Sequence, residues 1–146
     1  MNDQITILHV DDDEDIRAIT ELSLNLGPGF VLHQCASGPE ALKMAPEINP
    51  DVFLLDMMMP EMNGEETWER LKNDVGMHDI PTIFMSARAE EEFAKHLVEI
   101  GAAGIITKPF DPMTLGQEIR DTLIARAKDH ADDQTDSSDN VLKFGT

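Results

Sequence analysis

The chain is poor in cysteine, in aromatic residues and in long apolar runs, and these shortages exclude several classes of protein. Its single cysteine, Cys35, cannot form an internal disulfide, which is typical of a reducing compartment. No apolar run approaches the roughly 18 residues that span a bilayer, and the first residues show no signal-peptide pattern. The sequence therefore predicts a cytoplasmic protein.

Positive charge is also scarce. Asp and Glu number 29 against 11 for Lys and Arg, so the formal net charge is −18. Such a surface repels phosphate backbones and anionic lipid, which predicts that the chain binds neither nucleic acid nor membrane directly. The hydrophobic fraction of 41% in 146 residues is enough for one hydrophobic core, so folding requires neither a structural metal ion nor a disulfide.

What the chain does contain is an alternation of short apolar runs and helix-like segments. The runs predict strands over residues 5–10, 30–35, 52–55, 81–85 and 104–107, and the first of them is rich in β-branched residues. Five strands each followed by a helix predict an α/β fold with a parallel sheet covered on both faces. We expect the flavodoxin-like, doubly wound arrangement with strand order 2-1-3-4-5.

Periodicity and capping residues predict the helices between these strands. Ser37 is expected to cap a short helix over Glu40 to Ala45 that ends at Pro46, and Asn63-Gly64 to open the third helix. Phe93, Leu97 and Ile100 have the spacing of a buried stripe on the fourth helix. Asp111-Pro112 is typical of a helix start, and three later residues would carry the inner face of that helix: Leu115, Ile119 and Leu123.

The periodic pattern ends near residue 128. Residues 1–128 are predicted to form one domain, and residues 129–146 an acidic, disordered tail with Asp among Ser, Thr, Gln and Asn. An apolar exception lies near the end of the tail, at Val141, Leu142 and Phe144. Chance composition and a docking segment both explain it.

Polar residues stand where four of the predicted strands end. They are Asp11–Asp13 after the first strand, Asp56 after the third, Ser86 after the fourth and Lys108 after the fifth. The first and third strands are neighbours in the expected order, so their carboxylates would converge at the edge where such folds place their sites. Crowded carboxylates are unfavourable without a cation, and Mg²⁺ prefers hard oxygen ligands.

Together these residues favour phosphoryl chemistry. A carboxylate is a nucleophile toward phosphorus, and a lysine, a metal ion and a hydroxyl can stabilise the transferred oxygens. Each residue alone has a simpler explanation, such as a helix N-terminus for the acids, a cap for Ser86 or a surface position for Lys108. Their joint occurrence at successive strand ends is what favours the functional interpretation.

Four stretches contain these residues, at positions 7–13, 54–64, 85–88 and 107–110. They read ILHVDDD, LLDMMMPEMNG, MSAR and TKPF. In this order and at these intervals, over roughly residues 4 to 127, the chain resembles the receiver domain of two-component response regulators. Among such proteins it is most similar to the stand-alone, chemotaxis-regulator-like kind.

The resemblance implies a role for each residue. Asp56 would accept the phosphoryl group, Lys108 would pair with that group, and Ser86 would move toward it. The peptide between Lys108 and Pro109 would be cis. Mg²⁺ would be bound by three side chains and one backbone carbonyl: Asp11 through water, Asp12, Asp56, and the carbonyl of Met58. Asp13 is expected to start a helix rather than bind metal.

Two positions depart from the family or modify its chemistry. Ile105 stands where members often carry Tyr or Phe, so the usual rotation of an aromatic ring is in question here. Met58 offers no group to orient an attacking water, which predicts slow self-dephosphorylation. The five histidines have no close ligand spacing and do not predict a metal set.

Two other functions occur on related folds. A haloacid-dehalogenase-like phosphatase needs a second acid two residues after its nucleophile, and Met58 occupies that position. A flavodoxin-type electron carrier needs a phosphate loop after the first strand, where this chain has five successive acids. Fold alone does not separate the three classes, whereas the site does.

The sequence therefore predicts a non-enzymatic signalling protein with a single domain. Its expected partners are a sensor histidine kinase or a histidine phosphotransfer protein, and a downstream target protein. Output by phosphorylation-dependent binding and output by phosphorelay both stay open, as do a monomer and a phosphorylation-dependent dimer. A receiver excised from a larger protein is the remaining alternative.

Overall fold

A computed structural model describes residues 4–129, with one five-stranded sheet at the centre. Its strands are β1 (Ile5–Val10), β2 (Phe30–Cys35), β3 (Val52–Asp56), β4 (Thr82–Ala87) and β5 (Gly104–Lys108). All neighbours are parallel, in the order β2-β1-β3-β4-β5. The predicted flavodoxin-like, doubly wound α/β fold and its strand order are confirmed.

Helices follow each strand and cover both faces of the sheet. They are α1 (Glu14–Leu24), α2 (Gly38–Ile48), α3 (Gly64–Asn73) and α4 (Glu91–Glu99), with a single 3₁₀ turn (Arg88–Glu90) before α4. A last helix, α5, covers residues 115–129 after a turn in which Asp111 accepts hydrogen bonds from the Met113 and Leu115 amides. Over residues 4–129, no helix combines the length and apolarity needed to cross a bilayer.

The prediction that Pro46 ends the second helix is wrong. Pro46 lies inside α2, which continues to Ile48 and ends at Asn49 in the left-handed conformation, with φ of 50°. Proline removes one helical hydrogen bond, but Ala41 and Ala45 are fully buried on this helix. Their packing, and the Asn49 N–H bonded to the Ala45 carbonyl at 2.8 Å, stabilise the last turn.

The predicted stripe on the fourth helix is also partly wrong. Leu97 is fully buried, as expected, but Phe93 and Ile100 are 47% and 51% exposed. The second buried residue of α4 is Ala94, three positions before Leu97. A short helix needs only a narrow face against the sheet, and a small alanine fits the close approach that Phe93 was expected to fill.

The core consists of two apolar layers, one on each face of the sheet. Alternate strand residues point to opposite faces, so Leu8, Phe53 and Phe84 pack with α2, α3 and α4 on one side. Their neighbours pack with α1 and α5 on the other side, and these include Ile7, Leu54, Ile83, Leu115 and Ile119. Trp68 of α3 contacts Phe84 edge-to-face, with ring centroids 5.5 Å apart.

The predicted tail falls almost entirely outside the described residues. Asp129, its first residue, still belongs to α5. Residues 130–146, including the apolar Val141, Leu142 and Phe144, lie beyond the part of the chain that the structure describes. The division into a domain of residues 1–128 and a disordered tail therefore stays a prediction.

Candidate functional site: an acidic pocket at the carboxyl edge of the sheet

Three carboxylates meet where β1 and β3 end. Val10 pairs with Leu55 in the register of these strands, so the next residues, Asp11 and Asp56, lie side by side. Ligand atoms of Asp11, Asp12 and Asp56 all lie within 4.8 Å of one another. Asp11 and Asp56 are buried whereas Asp12 is exposed, so the cluster faces solvent on one side.

Lys108 brings one positive charge to these acids from the end of β5. Its Nζ donates a hydrogen bond to Asp56 Oδ1 at 2.8 Å and lies 3.6 Å from Asp11 Oδ2. The Lys108–Pro109 peptide is cis, as the family resemblance implied. Three carboxylates and one ammonium leave two negative charges without a partner inside the pocket.

The crowding shifts the pKa of each buried group. Burial raises the pKa of Asp56 to about 6, since the Lys108 hydrogen bond opposes the shift only in part and the Asp11 charge adds to it. Burial likewise raises the pKa of Asp11, against the Asp13 amide and Lys108. Burial alone would lower the pKa of Lys108, but its hydrogen bond to Asp56 and the Asp11 charge raise it overall.

The start of α1 fixes the backbone and one oxygen of Asp11. The Asp13 amide donates to Asp11 Oδ1 at 2.9 Å, and the Arg17 guanidinium donates to the Asp11 carbonyl at 2.8 Å. Asp13 itself caps α1 by accepting from the Asp15 and Ile16 amides. Asp13 is therefore a helix-start acid, as expected.

The start of α3 lies against the backbone of Asp56. A Cβ on Gly64 would lie 2.2 Å from the Asp56 carbonyl oxygen, so only glycine fits this contact. The Gly64 N–H donates to the Met57 carbonyl at 2.9 Å, and Asn63 and Glu66 form a reciprocal capping box. These contacts connect the loop after β3 to the first turn of α3.

The other predicted residues lie at the same edge of the sheet. Ser86 lies within β4, one position past the partner of Asp56, and its hydroxyl is fully buried without a hydrogen-bond partner. Met58 is 61% exposed in the loop after β3, and Arg88 opens the 3₁₀ turn. Ile105 is half-buried and packs against the layer of α2, α3 and α4.

Sequence reasoning missed His9 as a neighbour of this pocket. His9 is fully buried, and its Nε2 lies 3.9 Å from Asp11 Oδ2. Burial, reinforced by the charges of Lys108 and Arg17, lowers the pKa of His9 to about 3, so the ring is neutral at physiological pH. The available signal was a polar side chain within the otherwise apolar run of Ile7, Leu8 and Val10.

The donor atoms of the pocket fit Mg²⁺. The cluster offers carboxylate oxygens alone, the hard ligands that this ion prefers. Asp11 Oδ2 is buried and accepts no hydrogen bond, and the Lys108 ammonium that lies 3.6 Å from it is shared with Asp56. Buried carboxylates that share one ammonium are stabilised by a further cation. A divalent ion would balance the two excess negative charges.

Comparison with known proteins agrees with the fold. The family model described as the response regulator receiver domain matches residues 7–120. The chemotaxis response regulator CheY4 of Vibrio cholerae has a TM-score of 0.72 and 28% identity, over 82% of this chain and 98% of that one.

Two curated relatives are longer than this chain. The phosphate regulon transcriptional regulatory protein PhoB of Pseudomonas aeruginosa is 36% identical over 81% of this chain and 51% of its own length. A protein-glutamate methylesterase/protein-glutamine glutaminase of Halalkalibacterium halodurans is 36% identical over 86% of this chain and 37% of its own. The chain thus spans about half, or less, of the length of these relatives.

The fold and the acidic pocket define a phospho-receiver module, and the match over residues 7–120 identifies the family. The chain belongs to the response regulator receiver domain family of two-component systems. Phosphorylation-based signalling, and Mg²⁺ binding at an acidic pocket, are general properties of that family.

Proposed function

We propose that this protein is a single-domain response regulator whose Asp56 accepts a phosphoryl group in a Mg²⁺-dependent reaction. The observation that carries the proposal is the hydrogen bond of 2.8 Å between Lys108 Nζ and Asp56 Oδ1, inside a cluster with two further carboxylates. A nucleophile, a cation and excess negative charge at one strand edge suit phosphoryl transfer.

Asp56 is the nucleophile. With a pKa of about 6 it is largely ionised at neutral pH. One of its oxygens attacks the phosphorus of a phosphohistidine on the donor. An oxygen–phosphorus bond forms while the nitrogen–phosphorus bond breaks, and the electron pair leaves with the imidazole nitrogen.

Lys108 and Ser86 stabilise the group that arrives. Lys108 already contacts Asp56, so its ammonium can pair with a phosphoryl oxygen without a large rearrangement. Ser86 carries a buried hydroxyl with no partner, which is available to donate to another phosphoryl oxygen. A movement of Ser86 toward the phosphoryl group would then shift α4 and β5 between two conformations and so change the protein surface there.

Mg²⁺ would be held by Asp12, Asp56 and the backbone carbonyl of Met58 directly, and by Asp11 through water. When bound, the ion neutralises negative charge on the transferring phosphoryl group. The chain itself does no other chemistry in this proposal, so it is a signalling protein rather than an enzyme acting on a separate substrate.

The proposed partners are a sensor histidine kinase or histidine phosphotransfer protein upstream and a target protein downstream. The match to a chemotaxis response regulator over 98% of that chain supports a module of one domain. The greater length of the curated relatives supports the alternative, a receiver within a longer protein. The cytoplasmic location and the monomeric or phosphorylation-dependent dimeric state stay predictions from the sequence.

Intact-mass measurement tests the proposal directly. Incubation with Mg²⁺ and acetyl phosphate is expected to give one phosphoryl adduct on the wild-type protein and none on Asp56→Ala or after chelation of Mg²⁺. Asp79→Ala, which replaces an exposed carboxylate outside the pocket, is the matched control and should be modified like wild type. An adduct that persists in Asp56→Ala would assign the acceptor to another residue.

A further inference from the structure

A chain of polar contacts lies behind the acidic pocket, on the side of the sheet that α1 covers. His9 of β1 and Gln34 of β2 are register partners, and the Gln34 amide nitrogen lies 3.0 Å from His9 Nδ1. The same amide nitrogen donates to the Arg17 carbonyl at 2.8 Å. The Arg17 guanidinium in turn donates to the Asp11 carbonyl at 2.8 Å. Because His9 Nε2 lies 3.9 Å from Asp11 Oδ2, the chain of contacts both begins and ends at Asp11.

The Gln34 amide determines which nitrogen of His9 carries the proton. The amide nitrogen of Gln34 has two N–H groups and no acceptor, and one N–H is directed to the Arg17 carbonyl. The other N–H is directed to His9 Nδ1, which must therefore accept. In a neutral imidazole the hydrogen then lies on Nε2. That N–H is the one nearest Asp11 Oδ2.

Two buried polar atoms are left facing each other. His9 Nε2 and Asp11 Oδ2 lie 3.9 Å apart, and neither makes a hydrogen bond. Burial of two such atoms is unfavourable unless the site gains something from their positions. The distance is too long for a hydrogen bond, but the N–H dipole still attracts the carboxylate oxygen and opposes its rotation.

We propose that Gln34 and His9 are positioning residues for Asp11: from behind the pocket they fix the orientation of its carboxylate, whose Oδ2 also lies 3.6 Å from Lys108 Nζ. This inference rests on the proposed function, because it concerns the residues that would bind Mg²⁺. Partners of this kind around metal ligands fix ligand orientation and affect metal affinity. His9 itself does not bind the metal in this proposal.

Calorimetric titration of Mg²⁺ tests the role of the Nε2–H group. His9→Phe keeps a ring of similar shape without the N–H, and we expect its Mg²⁺ affinity to fall about 10-fold. His9→Gln places an amide N–H at the Nε2 position, so we expect its Mg²⁺ affinity to stay within about 3-fold of wild type. That change is smaller than the loss that removal of such a residue typically causes. Gln34→Leu allows the His9 ring to change tautomer, so its Mg²⁺ affinity should lie between those of His9→Phe and His9→Gln.

His33→Phe is the matched control. His33 also lies in β2, but it is adjacent to Gln34 and so points to the other face of the sheet. Its replacement should leave the Mg²⁺ affinity unchanged. Wild-type affinity in His9→Phe would overturn the inference, and so would an equal loss in His9→Phe and His9→Gln.

The tautomer of His9 is a second readout, and it needs no substitution in the core. Long-range ¹H–¹⁵N spectra of the wild-type protein without Mg²⁺ should show His9 protonated on Nε2, and Mg²⁺ should shift that resonance. Protonation of His9 on Nδ1 would overturn this inference and leave the proposed function standing. Failure of the wild-type protein to bind Mg²⁺ would instead overturn the proposed function, and the inference with it.

Discussion

Asp56 is placed among negative charges that Lys108 offsets only in part. Its side chain is almost fully buried, and its pKa rises from 3.8 to about 6. A carboxylate that keeps its proton more tightly in the folded protein than in the unfolded chain makes stability depend on pH. The contribution of the protonated Asp56 carboxyl to the free energy of unfolding is present below about pH 4 and is lost as the pH rises through about 6.

Asp56→Asn is therefore expected to stabilise the protein at neutral and alkaline pH when Mg²⁺ is absent. The gain should reach on the order of 2 to 3 kcal/mol, because each unit of pKa shift corresponds to about 1.4 kcal/mol. Urea unfolding from pH 4 to pH 8 in a chelating buffer measures it. Asp79→Asn, an exposed substitution of the same type, should follow the wild-type pH dependence. A gain that is equal at pH 4 and pH 8 would contradict the assignment to Asp56 ionisation.

Met58→Asn tests the predicted slow loss of the phosphoryl group. Met58 is exposed in the loop after β3, and its thioether cannot orient a water molecule. An amide at this position can hold the attacking water, so release of inorganic phosphate should accelerate on the order of 10-fold, a small share of what general-base catalysis supplies. Met113→Asn, at a methionine that is also exposed, is the control. Unchanged release from Met58→Asn would show that Met58 does not limit the reaction.

At the residue scale the sequence alone located the acids and the lysine, because each directly follows or ends a strand. It did not locate the contact between His9 and Gln34. That contact depends on the register of β1 against β2, where His9 faces Gln34 rather than its neighbours. A single sequence does not determine the register of two parallel strands joined by a helix, so this pair required the structure.

At the scale of elements, the junction of β3 and α3 sets the position of Asp56. Gly64 begins α3 in contact with the Asp56 carbonyl. Gly64→Ala would force the helix and the strand apart, and over-packing of this kind costs about 1 to 3 kcal/mol. We expect urea unfolding to show that loss, together with weaker Mg²⁺ binding because Asp56 shifts.

Gly27→Ala is the control for Gly64→Ala. A Cβ on Gly27 meets no other atom within 4 Å, so the same substitution in the loop after α1 should leave Mg²⁺ binding unchanged. Equal Mg²⁺ affinity in Gly64→Ala and wild type would mean that the loop absorbs the strain without moving Asp56.

Elements were predictable to the extent that their signals are local. Unbroken runs such as Val52–Leu55 fixed the strands, and Asp13, Ser37 and Asn63 fixed helix starts through their own side chains. The errors at Pro46 and Phe93 have a common cause. In both places the burial of small alanines, a tertiary effect, outweighed a local preference for ending a helix or burying a large side chain.

At the scale of the whole molecule, the acidic end of the chain can be separated from the pocket experimentally. Removal of residues 130–146 eliminates four Asp and one Lys, which changes the formal net charge from −18 to −15. We expect the free energy of unfolding to stay within about 0.5 kcal/mol of wild type, as for surface changes in general. Mg²⁺ affinity and phosphorylation should also be unchanged, by calorimetry and intact mass. Lower Mg²⁺ affinity in the shortened chain would show that residues 130–146 contribute to Mg²⁺ binding at the pocket.

The position of Lys108 on β5 has a consequence for how the protein is made. Synthesis supplies the acids on β1 and β3 first, and the ammonium that contacts Asp56 comes from the last strand of the sheet. A nascent chain that has reached only β4 holds the carboxylates without their counter-charge. The pocket with an ammonium beside Asp56 can therefore form only after β5 has been synthesised.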